Sequence, residues 1–204
     1  MNHFNNRHLL FLVLLCCITL LPSSSIAQTL SETLTDFNQD RIELNRNGMY
    51  LLSGWAITNM AVGSIGYFNS SGSSKYLHQM NVGWNLVNLA IAGTALYQYG
   101  EAHPAAFGLS QSISEAQSIE KILMLNIGLN VSYIAGGGYL WERGIRKSSN
   151  RLKGYGQSLI IQGGFLLLFD STLYLLNRSN NQELLSIIEK ISVQGTQLSI
   201  SIPL

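Results

Sequence analysis

Charged side chains are scarce in this chain: lysine, arginine, aspartate and glutamate together make up 11% of its 204 residues. Soluble globular domains carry about 25%. The apolar residues, at 47%, therefore have more surface to bury than the core of one small domain can accommodate. This length allows only one domain. A formal net charge of +1 provides neither a basic surface nor an acidic tail, which argues against nucleic acid as a partner.

Cysteine is almost absent, since Cys16 and Cys17 are the only two. Both lie in residues 1–27, which have the parts of a secretory signal peptide: a basic start, an apolar core and small residues before the cleavage point. The core is short for a membrane anchor, which needs about 20 residues, and Leu15 before Cys16 is not typical of a lipoprotein signal. With cleavage before Gln28, the mature chain has no disulfide, no thiolate and no sulfur ligand for a metal.

Catalytic and cofactor motifs are also missing. The chain has no His-Glu-x-x-His metal pair, no Gly-x-Ser-x-Gly nucleophile elbow and no phosphate-binding loop. His78 is the only histidine near an apolar segment, and a dyad with Asp170 would have to reach across most of a bilayer. The glycines at 136–138 lie inside an apolar segment, where helix packing explains them better than phosphate binding. We therefore predict a protein that is not an enzyme and has no catalytic residue, cofactor or metal.

Four long apolar segments dominate the rest of the chain. They cover residues 48–68, 79–99, 122–141 and 157–176, and only the last contains a formal charge. Each is near the length of about 20 residues that an α-helix needs to cross a bilayer. The sequence predicts an all-α fold, a membrane-embedded four-helix bundle in residues 28–181. A soluble helical bundle is the alternative, but it would need charged outer faces, and the charges here are collected between the segments.

Two further elements flank the predicted bundle. Residues 29–46 place apolar and charged side chains at near-helical spacing, which predicts an amphipathic helix at the membrane interface or on a partner. Residues 182–204 form a short external C-terminal extension that begins helically. From Ile191 to Ile202 apolar residues then tend to alternate, which predicts a strand packed on the bundle or on a partner.

The charges between the segments predict an orientation in the bacterial inner membrane. A cleaved signal peptide delivers the mature N-terminus to the outer side, so the connection after the third segment is cytoplasmic. That connection is basic, as the positive-inside rule requires. Both mature termini are then external. The basic residues of the connection are Arg143, Arg146, Lys147, Arg151 and Lys153.

Amide side chains recur inside the four segments at helical spacing. Because a polar group at bilayer depth has no water to bond, we expect these side chains to face one another in a buried polar cluster. Four residues fall within about two turns of one depth and are expected to form one layer: Asn59, Asn88, Asn130 and Asp170. The other members of the predicted cluster are Asn85, Asn126 and Gln162.

Asp170 is the most informative member of the cluster, because it is the one formal charge in the four segments. A charged side chain at bilayer depth costs about 2.5 to 3.5 kcal/mol on insertion scales, so its presence suggests a function. No lysine or arginine lies inside a segment to neutralise it. We expect a protonated carboxyl that bonds Asn88 or Asn130 and could exchange protons or bind a cation. Structural packing is the alternative.

Three stretches carry a family resemblance: His78–Asn88, Gly154–Gln157 and Gln162–Asp170. They resemble an uncharacterised bacterial family of four-span membrane proteins, and the resemblance extends over residues 45–180. It implies a helical bundle in the inner membrane. It implies no activity, and no catalytic residue can be taken from it.

Two functional hypotheses follow from these features. The first is a non-enzymatic accessory or scaffold protein of the inner membrane, in which the polar cluster fixes the helix register and the external segments meet a partner. The second is a small transporter or proton-linked channel, in which Asp170 and the asparagines line a passage. Besides the lipid bilayer, the expected partner is a second copy of the chain or another membrane protein.

Overall fold

The computed structural model describes the backbone of residues 4–200 and the side chains of residues 28, 30–182, 184–186, 188 and 189. Within these residues the chain forms four α-helices and no strand. This confirms the predicted all-α fold and the four helices of the predicted bundle. The helices are α1 (Phe4–Asn69), α2 (Gly72–Glu101), α3 (Leu109–Arg146) and α4 (Asn150–Ile200), with a 3-10 turn at Pro104–Ala106.

Helix α1 joins two elements that the sequence predicts separately. The amphipathic stretch 29–46 and the first apolar segment, 48–68, are parts of one helix. No proline stands between them, and Gly48 by itself costs a helix only about 1 kcal/mol. The same helix extends back to Phe4. The side chains of the predicted signal peptide lie outside the described residues, and its cleavage stays a prediction.

The C-terminal extension also differs from its prediction. The backbone is helical up to Ile200, so the predicted strand from Ile191 is wrong. A single strand would leave its N–H and C=O groups without partners, whereas a helix that continues from α4 satisfies them within itself.

The helices form two antiparallel hairpins whose turns lie at the same end of the bundle. Gly72 begins α2 with a φ of 61°, a left-handed conformation that glycine adopts without strain. In the turn between α3 and α4, the N–H of Ser149 donates to the carbonyl oxygen of Gly144 at 2.9 Å. A Cβ at Gly154 would clash with the carbonyl of Ser73. The beginnings of α2 and α4 therefore touch through their backbones.

Helix α4 is the centre of the bundle and contacts the other three helices. Helix α2 packs on α1 and on α4 and runs parallel to α4, whereas α1 and α3 hardly touch. A Cβ at Gly156 would lie 2.5 Å from the carbonyl oxygen of Gly137, so α3 and α4 meet backbone to backbone near their turn. Such close approach brings interior side chains of neighbouring helices within hydrogen-bonding reach.

Two apolar clusters fill spaces between the helices. One of them, the terminal apolar cluster, is formed by the parts of α1, α3 and α4 that extend beyond the end of α2. We call these parts the three-helix extension of the bundle. The central apolar cluster consists of Leu52, Ala92, Leu123, Leu166, Phe169 and Leu173. The terminal apolar cluster consists of Leu34, Phe37, Ala116 and Leu184.

One described helical segment, residues 150–186, is long and apolar enough to cross a membrane by length and mean hydropathy. The other predicted segments, 48–68, 79–99 and 122–141, lie inside α1, α2 and α3 and do not reach the same mean hydropathy. Asparagine, glycine and serine inside these helices lower the mean. By this measure alone, the described part of the chain has one candidate span.

Candidate functional site

The most deeply buried side chains of this bundle are mostly polar. Among the largest fully buried side chains described, Phe37 is the one apolar member. Water-soluble proteins show the reverse, with apolar residues most often fully buried and asparagine and glutamine mostly exposed. We call this interior the polar column. The polar members of that set are Gln162, Asn38, Asn85, Asn177, Ser112 and Ser158.

Gln162 of α4 is the centre of the first group in the column, the glutamine cluster. Its Nε2 donates to Asn59 Oδ1 and to Asn81 Oδ1, both at 3.2 Å. Its Oε1 accepts from Trp55 Nε1 at 3.0 Å. Ser158 Oγ donates to Asn81 Oδ1 at 2.6 Å. These bonds connect α1, α2 and α4 through a single side chain that has no exposed surface.

Two more asparagines extend the glutamine cluster along α2. Asn85 Nδ2 donates to the carbonyl oxygen of Asn81 at 2.8 Å, and Asn88 Nδ2 donates to Asn85 Oδ1 at 3.4 Å. Steps of three and four residues place these positions on one helical face. The amide-bearing face of α2 therefore points into the bundle.

Asp170 belongs to a second group, the aspartate group, which joins α4 to α3. Its Oδ2 accepts from Asn130 Nδ2 at 2.6 Å, and Asn126 lies close to the same carboxyl. Asp170 is 6% exposed, and neither ion pair found among the described residues involves it. The expected bond to Asn130 is present, whereas Asn88 bonds Asn85 instead. The donor of the hydrogen bond to Asp170 is an amide, which carries no charge.

The layer that the sequence predicts is divided between these groups. Asn59 bonds Gln162, and the step from Gln162 to Asp170 along α4 is about 12 Å at 1.5 Å per residue. Leu166 and Phe169 of the central apolar cluster come in between. Two side chains whose positions along the bundle axis differ by two helical turns are still about 11 Å apart. Similar depth was therefore not enough to predict contact.

The third group, a reciprocal amide pair between α1 and α4, is not predicted from the sequence. Asn45 Nδ2 donates to Asn177 Oδ1 at 2.8 Å, and Asn177 Nδ2 donates to Asn45 Oδ1 at 3.1 Å. Each residue lies just outside a predicted segment and next to an arginine, which is typical of a solvent-facing helix end. One signal was present, because Asn177 follows Asp170 after two helical turns and shares its side of α4. Trp55 and Ser158 of the glutamine cluster are also absent from the predicted set.

The polar column ends at a buried arginine in the three-helix extension. Arg41 is 3% exposed. Its Nη2 donates to Asn38 Oδ1 at 3.1 Å, and its guanidinium lies 5.1 Å from the centre of the Phe107 ring. Burial lowers the pKa of Arg41 from its ordinary value, while the charge of Glu115 acts in the opposite direction. Asn38 also donates to Ser112 Oγ at 2.9 Å, so this end of the column ties α1 to α3.

The polar column supplies hydrogen bonds and no reactive pair of side chains. Amide side chains do not ionise, and the side chain that donates to Asp170 is an asparagine, Asn130. In the part of the chain that the structure describes, no three histidine, cysteine, aspartate or glutamate side chains converge on a possible metal position. The arrangement connects the four helices by side-chain hydrogen bonds.

A family model covers the part of the chain that carries the glutamine cluster and the aspartate group. It matches residues 51–171 and describes a family of unknown function (DUF6992). The chain belongs to this family. The resemblance to an uncharacterised family is confirmed to that extent. No curated protein and no solved structure gives a significant match.

Some groups of the polar column lie inside the residues that the DUF6992 model matches, and others lie outside them. All of the glutamine cluster and the aspartate group lie within residues 51–171. The amide pair of Asn45 and Asn177, and the buried Arg41, lie outside. The match therefore covers the centre of the bundle and leaves out the α1 and α4 parts of the three-helix extension.

Proposed function

We propose that this DUF6992 protein is a four-span integral protein of the bacterial inner membrane, and that it serves as a non-enzymatic accessory or scaffold protein. The observation that carries the proposal is the distribution of polarity, with amides inside the bundle and large apolar side chains outside. Leu168 is 72% exposed, Phe68 83% and Ile65 65%. Hydrocarbon accommodates such a surface, whereas contact with water is unfavourable.

The positions of the charges support an apolar belt as wide as a membrane. Arg46 and Arg178 lie at one height at the ends of the apolar parts of α1 and α4, because the residues before them form the amide pair. Lys121 of α3 is close to the same height, since Glu120 bonds Asn181 at 2.7 Å. From Lys121 the helix continues without a charge for about 20 residues, or about 30 Å. This length matches the hydrocarbon core of a bilayer.

Basic side chains support the proposed orientation. Both hairpin turns lie at one end of the bundle, and basic residues outnumber acidic ones there. The positive-inside rule assigns this end to the cytoplasm. The three-helix extension is then external, as a cleaved signal peptide also requires. The charged residues near the turns are Lys75, Arg143, Arg146, Lys147, Arg151, Lys153 and Glu142.

A scaffold role is supported by the way in which the amides bond one another. Gln162 ties three helices together, and the amide pair ties α1 to α4. In hydrocarbon an unbonded amide is costly, so each of these bonds favours one helix register over the others. A bundle held in this way presents the three-helix extension outside the membrane, where a partner can reach it.

A small transporter or proton-linked channel is the second candidate, and Asp170 is the observation that favours it. A carboxyl at bilayer depth with amide partners and no cation is typical of a proton or ion site. The interruption of the column weighs against conduction by one copy. About 12 Å of α4, with Leu166 and Phe169, separate the aspartate group from the glutamine cluster.

Alkaline carbonate extraction tests the membrane proposal. We expect the full-length protein to stay in the pellet with the lipid, because its apolar exterior has no favourable contact with water. Recovery of the protein in the aqueous fraction, stable without detergent, would overturn the proposal.

The substitution Asp170→Asn then separates the scaffold from the conducting role. Asparagine keeps the shape of the side chain and an oxygen that accepts from Asn130, but it cannot exchange a proton. A scaffold with this substitution accumulates normally and complements a deletion strain. A channel or transporter accumulates normally, fails to complement, and loses proton or cation flux in proteoliposomes. The second result would replace the scaffold proposal.

A further inference from the structure

The outer face shared by α3 and α4 contains a groove that the bundle leaves open. The groove has a volume of about 450 Å³ and lies in the three-helix extension. Ile113 and Gln117 line it on the α3 side, and Gln182 and Leu185 line it on the α4 side. Leu185 is 61% exposed. Two antiparallel helices with a groove of mixed apolar and polar lining between them form a surface that can receive another helix.

Charges of both signs stand on the two walls of this groove, Glu120 on α3 and Arg178 on α4. Within the chain they bond other residues: Glu120 Oε1 accepts from Asn181 Nδ2 at 2.7 Å, and Arg178 Nη1 donates to the Tyr174 hydroxyl at 2.9 Å. Both ion pairs found in the described residues lie elsewhere, and the charge of Glu120 already acts on Arg178 of the same chain without forming an ion pair with it. Since Glu120 is level with Asn181, it lies within about one helical turn of the height of Arg178.

We propose that this groove is the interface between two copies of the chain, related by a twofold axis along the membrane normal. The inference rests on the proposed membrane embedding, which gives both copies the same orientation. A twofold axis beside the groove puts Glu120 of one copy opposite Arg178 of the partner subunit, and the same pair forms a second time. The pairs meet because the two residues lie at nearly one height. The surface is therefore complementary in charge to itself.

The same face continues into the proposed membrane region with small or protruding side chains. On α4 the residues of this face are seven positions apart, a spacing that places them on the same side of the helix. On α3 the same step leads from Gln117 to Met124 and Val131, which are 58% and 53% exposed, and to Gly138. A Cβ at Gly138 or Gly164 would meet no atom within 4 Å, so a second copy can approach closely there. The α4 positions are Gly164, Ser171, Arg178 and Leu185.

A lipid acyl chain fits this groove less well than a second copy does. Hydrocarbon supplies no partner for Glu120 or Arg178. Ile113 and Leu185 also lie on the external side of the height of Arg178, beyond the apolar belt, where a bilayer lipid places no acyl chain. A second copy supplies both the opposite charges and the apolar cover.

Charge reversal in mixed pairs tests the proposal with the full-length protein in lipid nanodiscs. Two differently tagged chains are co-purified, and their dissociation constant is measured by dilution. Glu120→Arg and Arg178→Glu should each weaken pairing with itself by about tenfold or more, because like charges then meet twice. A mixture of the two variants should pair with nearly wild-type strength, since both cross pairs regain opposite signs. If each substitution instead weakened pairing by disturbing its own chain, mixing the two variants would not restore the dissociation constant. A monomeric wild type, unchanged variants or an unrecovered mixture would each overturn the proposal.

Disulfide formation supplies a second measurement in native membranes. The two native cysteines are replaced by alanine, and a chain with Gln117→Cys is co-expressed with a chain with Gln182→Cys. We expect a cross-linked dimer of the two chains. The matched control pairs Ser118→Cys with Ser179→Cys, which are exposed at similar heights on the same helices and do not line the groove. Cross-linking of the control pair alone would overturn the assigned face.

The two proposals fail in distinguishable ways. A chain that stays in the carbonate pellet but is monomeric in nanodiscs contradicts the dimer and leaves the membrane proposal intact. A chain that is extracted into the aqueous fraction contradicts the membrane proposal whatever its oligomeric state.

Discussion

Gln162 is the side chain whose replacement should weaken the bundle most. Gln162→Leu keeps a side chain of similar size and removes the bonds to Trp55, Asn59 and Asn81. An interhelical hydrogen bond in a membrane contributes about 0.6 kcal/mol on average and about 1.7 kcal/mol at most. Three such bonds give an expected loss of about 2 to 5 kcal/mol in the free energy of unfolding. Trp55 Nε1 also loses its acceptor, which puts the result toward the upper part of that range.

The measurement is unfolding of the purified protein in mixed detergent micelles by titration with a denaturing detergent, followed by circular dichroism. The matched control is Gln98→Leu on α2, where the side chain is exposed. For an exposed position we expect a change within about 0.5 kcal/mol. If Gln162→Leu unfolds with the same free energy as the wild type, the amides of the glutamine cluster do not hold the helices together.

Three further predictions use the same unfolding assay. Gly156→Ala should lower the free energy of unfolding by about 1 to 3 kcal/mol, because the new Cβ would lie 2.5 Å from a carbonyl oxygen of α3, whereas Gly136→Ala, with no atom within 4 Å, should not lower it. Asn45→Ala and Asn177→Ala should show a coupling energy of about 0.5 to 2 kcal/mol in a double-mutant cycle, and additive effects would contradict the reciprocal pair. Asp170→Asn should leave the free energy of unfolding equal or raise it, because it removes from the interior a carboxyl that forms neither of the ion pairs found in the described residues. A marked loss of stability would mean that the carboxyl itself stabilises the bundle.

The helical fold was predictable because its signals are local. Long apolar segments with amides at steps of three and four residues are typical of buried helix faces, and α2 with Asn81, Asn85 and Asn88 follows this pattern directly. The continuity of α1 was harder to predict. A change from amphipathic to apolar composition near Gly48 suggests a boundary, but the backbone hydrogen bonds of a helix do not depend on which solvent lies outside.

The membership of the polar column was only partly predictable. Gln162, Asn59 and Asn130 lie in apolar segments, where a polar side chain stands out. Asn45 and Asn177 do not stand out, because their neighbours in sequence are polar. They become partners only through the antiparallel packing of α1 on α4. A single sequence does not show how close two such distant positions lie in the folded chain.

Sequence alone determined that this chain is helical and that polar residues on its apolar helices must face inward. Both conclusions follow from periodicity and from the high cost of an unbonded polar group away from water. Only the tertiary structure decided which amides meet, that Asp170 bonds Asn130 rather than Asn88, and that Arg41 is buried. Hydrogen bonds act over about 3 Å, and distances of that size depend on how each helix is rotated against its neighbours. For α3 and α4, Gly137 and Gly156 allow the close backbone approach that is part of this packing.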